Sequence, residues 1–219
     1  MKTTVNNSST ISTRVPGRGA AGNNMIVLFV KRMLLIPLLL VVTGFGGPAG
    51  LAAPAESGVS KEYQVKAGFL FNFSMFVEWP DSAFAEKNTP ICIGILGASR
   101  FGNALNQVIE GGNIRGRTLE IKSFSRIEDV KGCHMLFINK SEKPQMARIL
   151  SALAGMSVLT VGETEGFCTS GGIINFFLQD KKVRFEINPA AARQAGIRIS
   201  AQLLSLGRIV GEERTKEAQ

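Results

Sequence analysis

Two short apolar runs constrain the fold of this 219-residue chain more than any other feature of its sequence. Residues 91–96 read ICIGIL, and residues 135–138 read MLFI inside a strand that we predict at 134–139, with no polar residue in either run. A strand with one solvent-exposed face alternates apolar and polar residues, whereas an unbroken apolar run is typical of a strand that is buried on both faces. Helical patterns separate the strands along the chain. We therefore predict an α/β fold, a three-layer α/β/α sandwich with a mostly parallel, mixed sheet of about six strands.

The first helix is predicted over residues 61–77. Phe69, Phe73 and Val77 recur there at helical spacing, and Trp79 with the following proline ends the pattern. Further helices are predicted at 101–110 and 141–153, and further strands at 117–124 and 157–161. Residues 56–219 form one domain in this interpretation, with a hairpin and a helix at its C-terminal end.

The hairpin is predicted from residues 171–178 and 183–188, with Asp180 and Lys181 at the turn. Alternation along the strands then sorts the side chains into two faces. The core face consists of Ile174, Phe176, Leu178, Val183, Phe185 and Ile187. The opposite face consists of Asn175, Phe177, Arg184, Glu186 and Asn188. This second set is either a solvated polar network between the strands or a patch that binds a small ligand or a partner, and the sequence leaves both interpretations open.

The N-terminal residues 1–55 are typical of an export leader. They contain five basic residues and no acidic residue, and the apolar run 33–42 follows a basic pair and precedes small residues. This order indicates a secretory signal peptide that is removed; an uncleaved anchor is the alternative. Residues 56–219 hold 20 basic and 17 acidic residues, a balance of +3, which gives little support to nucleic-acid binding. We expect the mature protein in the periplasm.

Three cysteines, Cys92, Cys133 and Cys168, remain after the leader. An exported protein can keep disulfides, and an odd count allows one intramolecular bridge. Cys92 and Cys133 stand at the starts of two strands that can be neighbours in a parallel sheet, so we predict a bridge between them, with two buried free thiols as the alternative. Closing a loop of about 41 residues would contribute roughly 4 kcal/mol by chain-entropy arithmetic. Cys168 is predicted to be a free thiol or to bridge two chains.

Catalytic chemistry finds little support in the sequence. His134 is the only histidine and is predicted to be structural. The stretch from Gly97 to Gly102 follows a strand but lacks phosphate-loop spacing, so it is predicted to be a tight turn. Glu163 and Glu165 are predicted to lie in a solvated loop. We therefore predict no enzyme activity, no cofactor and no metal site.

Several segments of the sequence, in order, resemble the YfiR family. They are KAGFLFNF at 66–73 with FVEWP at 76–80, ICIGILG at 91–97, GCHMLFI at 132–138, LTV at 159–161, GGIINF at 171–176, RFEIN at 184–188, and Ser200 with Leu203 and Leu204. The match covers nearly all of residues 60–210. Each segment alone is weak, but the ordered set is specific.

The resemblance implies a small periplasmic protein without catalysis of its own. Members of this kind repress a membrane-bound diguanylate cyclase by binding its periplasmic sensor part, which keeps cyclic-di-GMP synthesis low. An outer-membrane lipoprotein can sequester the repressor, and the repressor can form a homodimer. Cys92 and Cys133 match one cysteine pair of the family, whereas the partner that Cys168 would need is absent here. The alternative function is a periplasmic small-molecule binding module or a structural protein with no signalling partner.

Overall fold

The computed structural model describes residues 61–211. The predicted leader 1–55 and its junction with the domain lie outside these residues. Within 61–211 no helix is both long enough and apolar enough to cross a bilayer.

The described residues form helices and strands in alternation. The helices are α1 (Lys61–Phe76), α2 (Ala104–Ile109), α3 (Met146–Ala152), α4 (Pro189–Gln194) and α5 (Ala201–Leu204). The strands are β1 (Val77–Glu78), β2 (Ile91–Leu96), β3 (Asn113–Ile114), β4 (Arg117–Phe124), β5 (Met135–Ile138), β6 (Leu159–Gly162), β7 (Ile174–Gln179), β8 (Lys182–Ile187), β9 (Arg198–Ile199) and β10 (Arg208–Ile209). Short 3₁₀ turns occupy Asp81–Ala83, Ile127–Asp129 and Lys140–Gln145.

Eight of the strands in residues 61–211 form one sheet in the order β10-β8-β7-β6-β5-β2-β4-β3. Its neighbours run parallel, except that β7 pairs antiparallel with β8 and β3 pairs antiparallel with β4. The α/β prediction is confirmed, and so is the parallel pairing of β2 with β5. The sheet has more strands than the six predicted because β3 and β10 contain two residues each, which is too short for a periodic pattern. β1 and β9 form a separate antiparallel pair.

Alternation along β2 produces two cores, one on each side of the sheet. Ile93 and Ile95 belong to the core under α1, α2, α4 and α5, whereas Cys92 and Leu96 belong to the core under α3. Every residue of β2 is buried, as its unbroken apolar sequence predicts. The three-layer arrangement follows from this two-sided burial.

Four phenylalanines fix α1 on the sheet. Phe69 and Phe73 of α1 contact Phe176 of β7 and Phe185 of β8, with ring centroids 5.1–5.9 Å apart. This cover ends before the hairpin turn, so Leu178 is 57% exposed. The prediction that Leu178 belongs to the core is therefore wrong, because alternation gives the direction of a side chain but not the extent of the helix above it.

The helix prediction for 141–153 is only partly right. Residues 140–145 form a 3₁₀ turn that contains Pro144, and the α-helix begins at Met146. Asn139, rather than Ser141, caps the turn by accepting a hydrogen bond from the Ser141 N–H at 2.9 Å. Proline disrupts a helix interior, which explains the later start.

Candidate functional site

The predicted hairpin has the expected register. Asn175 lies opposite Glu186 and Phe177 lies opposite Arg184. The turn residues Asp180 and Lys181 have φ of 51° and 59°, the left-handed pair that a two-residue hairpin turn requires. The five residues of the candidate patch therefore do share one face of the hairpin, but they divide into a buried inner half and a more exposed outer half.

The buried half is a hydrogen-bonded polar network. Asn175 is 3% exposed and Glu186 is 7% exposed. The Asn175 Nδ2 donates to Glu186 Oε1 at 3.3 Å, and its Oδ1 accepts from the Thr164 N–H at 3.0 Å. Arg208 of β10 makes an ion pair with the same Glu186 carboxylate. A buried carboxylate needs such partners, so these side chains satisfy one another.

Asn188 caps α4 and binds the loop that precedes β7. Its Oδ1 accepts a hydrogen bond from the Ala191 N–H at 3.0 Å, which caps α4, and its Nδ2 donates to the Cys168 carbonyl at 2.8 Å. Both polar atoms of the Asn188 side chain are thus hydrogen-bonded, and the side chain holds the loop of residues 163–172 against the sheet.

The outer half consists of the half-buried Phe177 and the exposed Arg184, and the structure adds a third residue that the sequence reasoning missed. The Arg208 guanidinium lies over the Phe177 ring, 4.5 Å from its centroid. Arg208 stands on the two-residue edge strand β10, and no sequence pattern marked that strand as a neighbour of β8. We call Phe177, Arg184 and Arg208 the hairpin patch.

Exposed apolar side chains lie in and beside the edge strand. Leu206 is 63% exposed and Ile209 is 38% exposed. Aromatic, arginine and aliphatic side chains at one sheet edge are the composition that protein-binding surfaces favour.

Cys92 and Cys133 lie together in the core under α3. The Cys133 Sγ lies 3.8 Å from the Cys92 carbonyl oxygen. It fills space above Gly94, where an added Cβ would stand only 2.6 Å from that sulfur. The Cys133 thiol lowers the pKa of Cys92, and the pKa of Cys133 rises because of Cys92 and burial. Both are free thiols in this structure, and the predicted bridge between them stays a prediction.

Cys168 is also a buried free thiol. Its sulfur lies 3.6 Å from the Ile173 carbonyl oxygen and 3.7 Å from that of Glu186. Burial raises the pKa of this thiol, which makes the reactive thiolate scarce. A bridge between two chains at Cys168 would therefore first require the covering loop to open.

His134 joins a strand start to the 3₁₀ turn at residues 81–83. Its Nδ1 accepts from the Cys92 N–H at 3.0 Å, and its Nε2 lies 3.1 Å from the Ala83 carbonyl oxygen. Only the neutral Nε2–H form satisfies both contacts. Burial lowers its pKa, and the Phe84 ring stacks on the imidazole with centroids 4.4 Å apart. These contacts give His134 a structural role.

A buried ion pair beside β6 corrects the prediction for Glu163. The Lys66 Nζ lies 2.6 Å from Glu163 Oε2 and 2.5 Å from Glu62 Oε1, and the Lys66 and Glu163 side chains are 4% and 3% exposed. The Tyr63 hydroxyl reaches both Glu163 oxygens at 2.9 Å. Glu163 is therefore not solvated, whereas Glu165 is exposed.

A sequence signal for this cluster did exist on α1. Lys66 lies three residues after Tyr63 and four before Leu70, and both of these are buried. It therefore lies on the buried stripe of the helix. The signal is easily missed because the charge of a lysine favours the solvent-exposed face of a helix.

Among residues 61–211 no three His, Cys, Asp or Glu side chains are grouped in a way that could hold a metal ion. The described residues define a class: a doubly wound α/β domain with a polar and aromatic hairpin patch at one sheet edge. Residues 63–208 match the family model described as DUF4154: YfiR/HmsC-like. The chain belongs to this YfiR/HmsC-like family.

Two solved structures share a distant overall likeness with the chain. One is described as the ABC domain in complex with L-Trp from Streptococcus pneumonia, with TM-score 0.46 and 10% identity, covering 68% of this chain and 62% of that one. The other is a conserved domain protein from Vibrio cholerae O1 biovar eltor, with TM-score 0.45 and 11% identity, covering 68% of this chain and 60% of that one. The chain thus matches less than two thirds of each structure.

Proposed function

We propose that the protein is a periplasmic repressor that binds the sensor domain of a membrane-bound diguanylate cyclase and so keeps cyclic-di-GMP synthesis low. The match of residues 63–208 to the YfiR/HmsC-like family carries this proposal. The hairpin patch supports it by offering a surface suited to protein contact. An outer-membrane lipoprotein that sequesters the repressor, and a second copy of the chain, are further partners in this proposal.

The mechanism is a population shift in the cyclase. A repressor that binds the inactive sensor conformation more tightly than the active one moves the equilibrium toward inactivity. It supplies no chemical step, since the effect depends only on the difference between two affinities.

The hairpin patch is the surface proposed for this contact. Arg184 and Lys182 are exposed on the same face of β8, and Arg208 projects beside them from β10. This cationic surface fits a sensor domain that presents acidic side chains, which would speed encounter and make binding sensitive to salt. Phe177 adds an aromatic anchor of the kind that carries much of the binding energy at interfaces.

The cysteine pair fits an exported protein. Cys92 lies on β2, and Cys133 lies two residues before the neighbouring parallel strand β5, so we propose that they form a disulfide in the oxidising periplasm, while Cys168 stays reduced in its buried loop. Non-reducing peptide mapping of protein purified from the periplasm tests this: a peptide pair linked through Cys92 and Cys133 is expected. Recovery of all three cysteines alkylated would overturn it.

A binding measurement tests the function and the surface separately. The probe is the purified periplasmic domain of a diguanylate cyclase from the same genome, immobilised for biolayer interferometry. Wild-type protein is expected to bind, and Arg184→Ala is expected to weaken binding at least about tenfold, the scale of an interface arginine. Arg193→Ala, an exposed arginine on α4, is the matched control and should bind as the wild type does.

The outcomes are distinct. Failure of folded wild-type protein to bind any such domain of that genome would refute the repressor function. Binding that Arg184→Ala leaves unchanged would keep the function and remove the hairpin patch from the contact. Circular dichroism of each variant shows that the fold is intact.

A further inference from the structure

Residues 80–90 connect β1 to β2 and lie against the amino-terminal ends of the central strands. None of their side chains is buried, and neither hydrophobic core includes any of them. A segment with so little buried apolar surface can detach from a domain without unfolding the rest of it. Two side chains, those of His134 and Arg117, attach this segment to the strands.

His134 and Arg117 form a column with Phe84 of the segment. The Phe84 ring stacks on the His134 imidazole, with centroids 4.4 Å apart, and the Arg117 guanidinium lies over the Phe84 ring, 3.7 Å from its centroid. Arg117 also donates hydrogen bonds to the carbonyl oxygens of Glu86 and Thr89, at 3.0 Å and 2.8 Å. The imidazole is therefore one of the two supports that hold the segment in place.

The hydrogen bonds of His134 fit only the neutral imidazole. Its Nδ1 accepts from the Cys92 N–H at 3.0 Å, and its Nε2–H donates to the Ala83 carbonyl oxygen at 3.1 Å. An imidazolium carries a hydrogen on both nitrogens and has no acceptor. Protonation would set two N–H groups against each other at Nδ1, so the ring would have to move and the Cys92 N–H would lose its partner. Because His134 is 2% exposed, water cannot replace the lost bond while the segment is closed.

The charges around His134 do not compensate an imidazolium. Burial, with the charges of Arg117 and Lys122 on β4, lowers the pKa of His134, against the raising effects of the Ala83 hydrogen bond and Glu120. Glu120 is itself paired with Lys122 at 2.7 Å. β2 contains one titratable group, the Cys92 thiol, and β5 contains none. The charged side chains of the segment itself are exposed to solvent: Asp81, Glu86 and Lys87.

We propose that His134 is an acid-sensitive switch: protonation of its imidazole releases residues 80–90 from the ends of the strands while the rest of the domain stays folded. Phe84 and Ala83 lie against the imidazole, so the charged ring reaches water only when the segment moves away. This device goes beyond the proposed repressor function and does not depend on it, because it requires only the folded domain.

The direction of the switch follows from the two states of the ring. In the open form the pKa of His134 returns toward the ordinary value of about 6.5. The open form therefore takes up the proton first as the pH falls. Each pH unit below about 6.5 favours the open form by up to about tenfold, until the ring titrates in the closed form as well.

The single histidine and the single tryptophan of the chain make the switch directly measurable. Proton NMR of the imidazole, in protein without a histidine tag, gives the pKa of His134, which is expected to lie below about 6.5. Trp79 reports on the same ring, because its Nε1 donates to the His134 carbonyl oxygen at 2.8 Å and its ring centroid lies 6.2 Å from the imidazole. Tryptophan emission should change with the midpoint of the NMR signal, while the far-ultraviolet circular dichroism stays constant. A His134 pKa at or above its ordinary value, or an emission change that coincides with loss of circular dichroism, would overturn the proposal.

Hydrogen exchange followed by mass spectrometry locates the opening. From about pH 7.5 to about pH 5.5, after correction for the intrinsic exchange rate, the amides of residues 81–92 are expected to lose at least about threefold in protection. The amides of α1 and β6 should keep theirs. Unchanged protection of residues 81–92 over this range, or an equal loss in α1 and β6, would contradict a local switch.

His134→Gln separates the imidazole from other acid-sensitive groups. The glutamine amide offers one acceptor and one donor but does not titrate, so the segment is expected to stay closed and to lose its acid response in both exchange and emission. Glu86→Gln removes an exposed carboxylate of the same segment and should respond to acid as the wild type does. The same acid response in folded His134→Gln as in wild type would refute the switch. The NMR and exchange measurements on the wild type decide the question if that variant does not fold.

Discussion

Replacing Lys66 by methionine removes the cation from the buried cluster beside β6 while keeping most of the side-chain volume. Glu163 then keeps the Tyr63 hydroxyl at 2.9 Å and the Lys140 N–H at 3.2 Å but loses its ion pair. Breaking a buried pair by removing one partner costs about 3–5 kcal/mol. The remaining hydrogen bonds place the expected loss of unfolding free energy near the lower end, at about 3 kcal/mol.

Urea unfolding followed by circular dichroism measures this loss. For a domain of this size a change of about 3 kcal/mol corresponds to a fall in melting temperature of roughly 6–12 °C. Lys61→Met is the control, since Lys61 is exposed on the same helix and its replacement should change stability by less than about 0.5 kcal/mol.

A double variant separates the ion pair from simple packing. Lys66→Met with Glu163→Gln removes both charges, so no uncompensated carboxylate stays buried. It should be more stable than Lys66→Met alone by at least about 1 kcal/mol. The reasoning would be refuted by a loss below about 1 kcal/mol in the single variant, or by a double variant no more stable than the single one.

Two further predictions concern Gly94 in β2 and His134 just before β5. Gly94→Ala places a methyl group 2.6 Å from the Cys133 sulfur, so it should lower the free energy of unfolding, measured in urea, by about 1–3 kcal/mol. Gly68→Ala is the control, because Gly68 faces open space on α1 and its replacement should not destabilise the protein. Equal stability of Gly94→Ala and wild type would contradict the packing around Gly94. The His134 pKa is lowered by burial, so the unfolded chain takes up the proton first, and stability should fall as pH drops below about 6.5. Unfolding measured from pH 8 to pH 5 should show this slope, and His134→Gln, which has no imidazole to titrate, should flatten it; an unchanged slope in that variant would assign it to other groups.

The parts of the fold that sequence predicted are those whose signals are local. The unbroken apolar run of β2 indicates burial on both faces without knowledge of any other segment. The turn at Asp180 and Lys181 fixes the hairpin register by itself, because a two-residue loop determines which residues face each other.

The parts that sequence did not predict depend on distant segments. Lys66 and Glu163 are 97 residues apart, and only the packing of α1 beside β6 brings them together. The edge strand β10 has two residues and becomes visible only through its pairing with β8. Residue type led to the wrong prediction that Glu163 is solvated, since charged residues are rarely buried unless they are paired.

The division of the hairpin face into two halves depends on one loop, residues 163–172. Its Thr164 N–H and Cys168 carbonyl bond to the polar face of the hairpin, and its Phe167 ring packs against two glycines. An added Cβ would stand 2.6 Å from that ring at Gly162 and 2.1 Å from it at Gly172, so the ring occupies space that only glycine leaves open. Phe167 thereby anchors the loop over the inner part of the face, while the outer part stays exposed. The partner surface proposed here is the part of the hairpin that this loop does not cover.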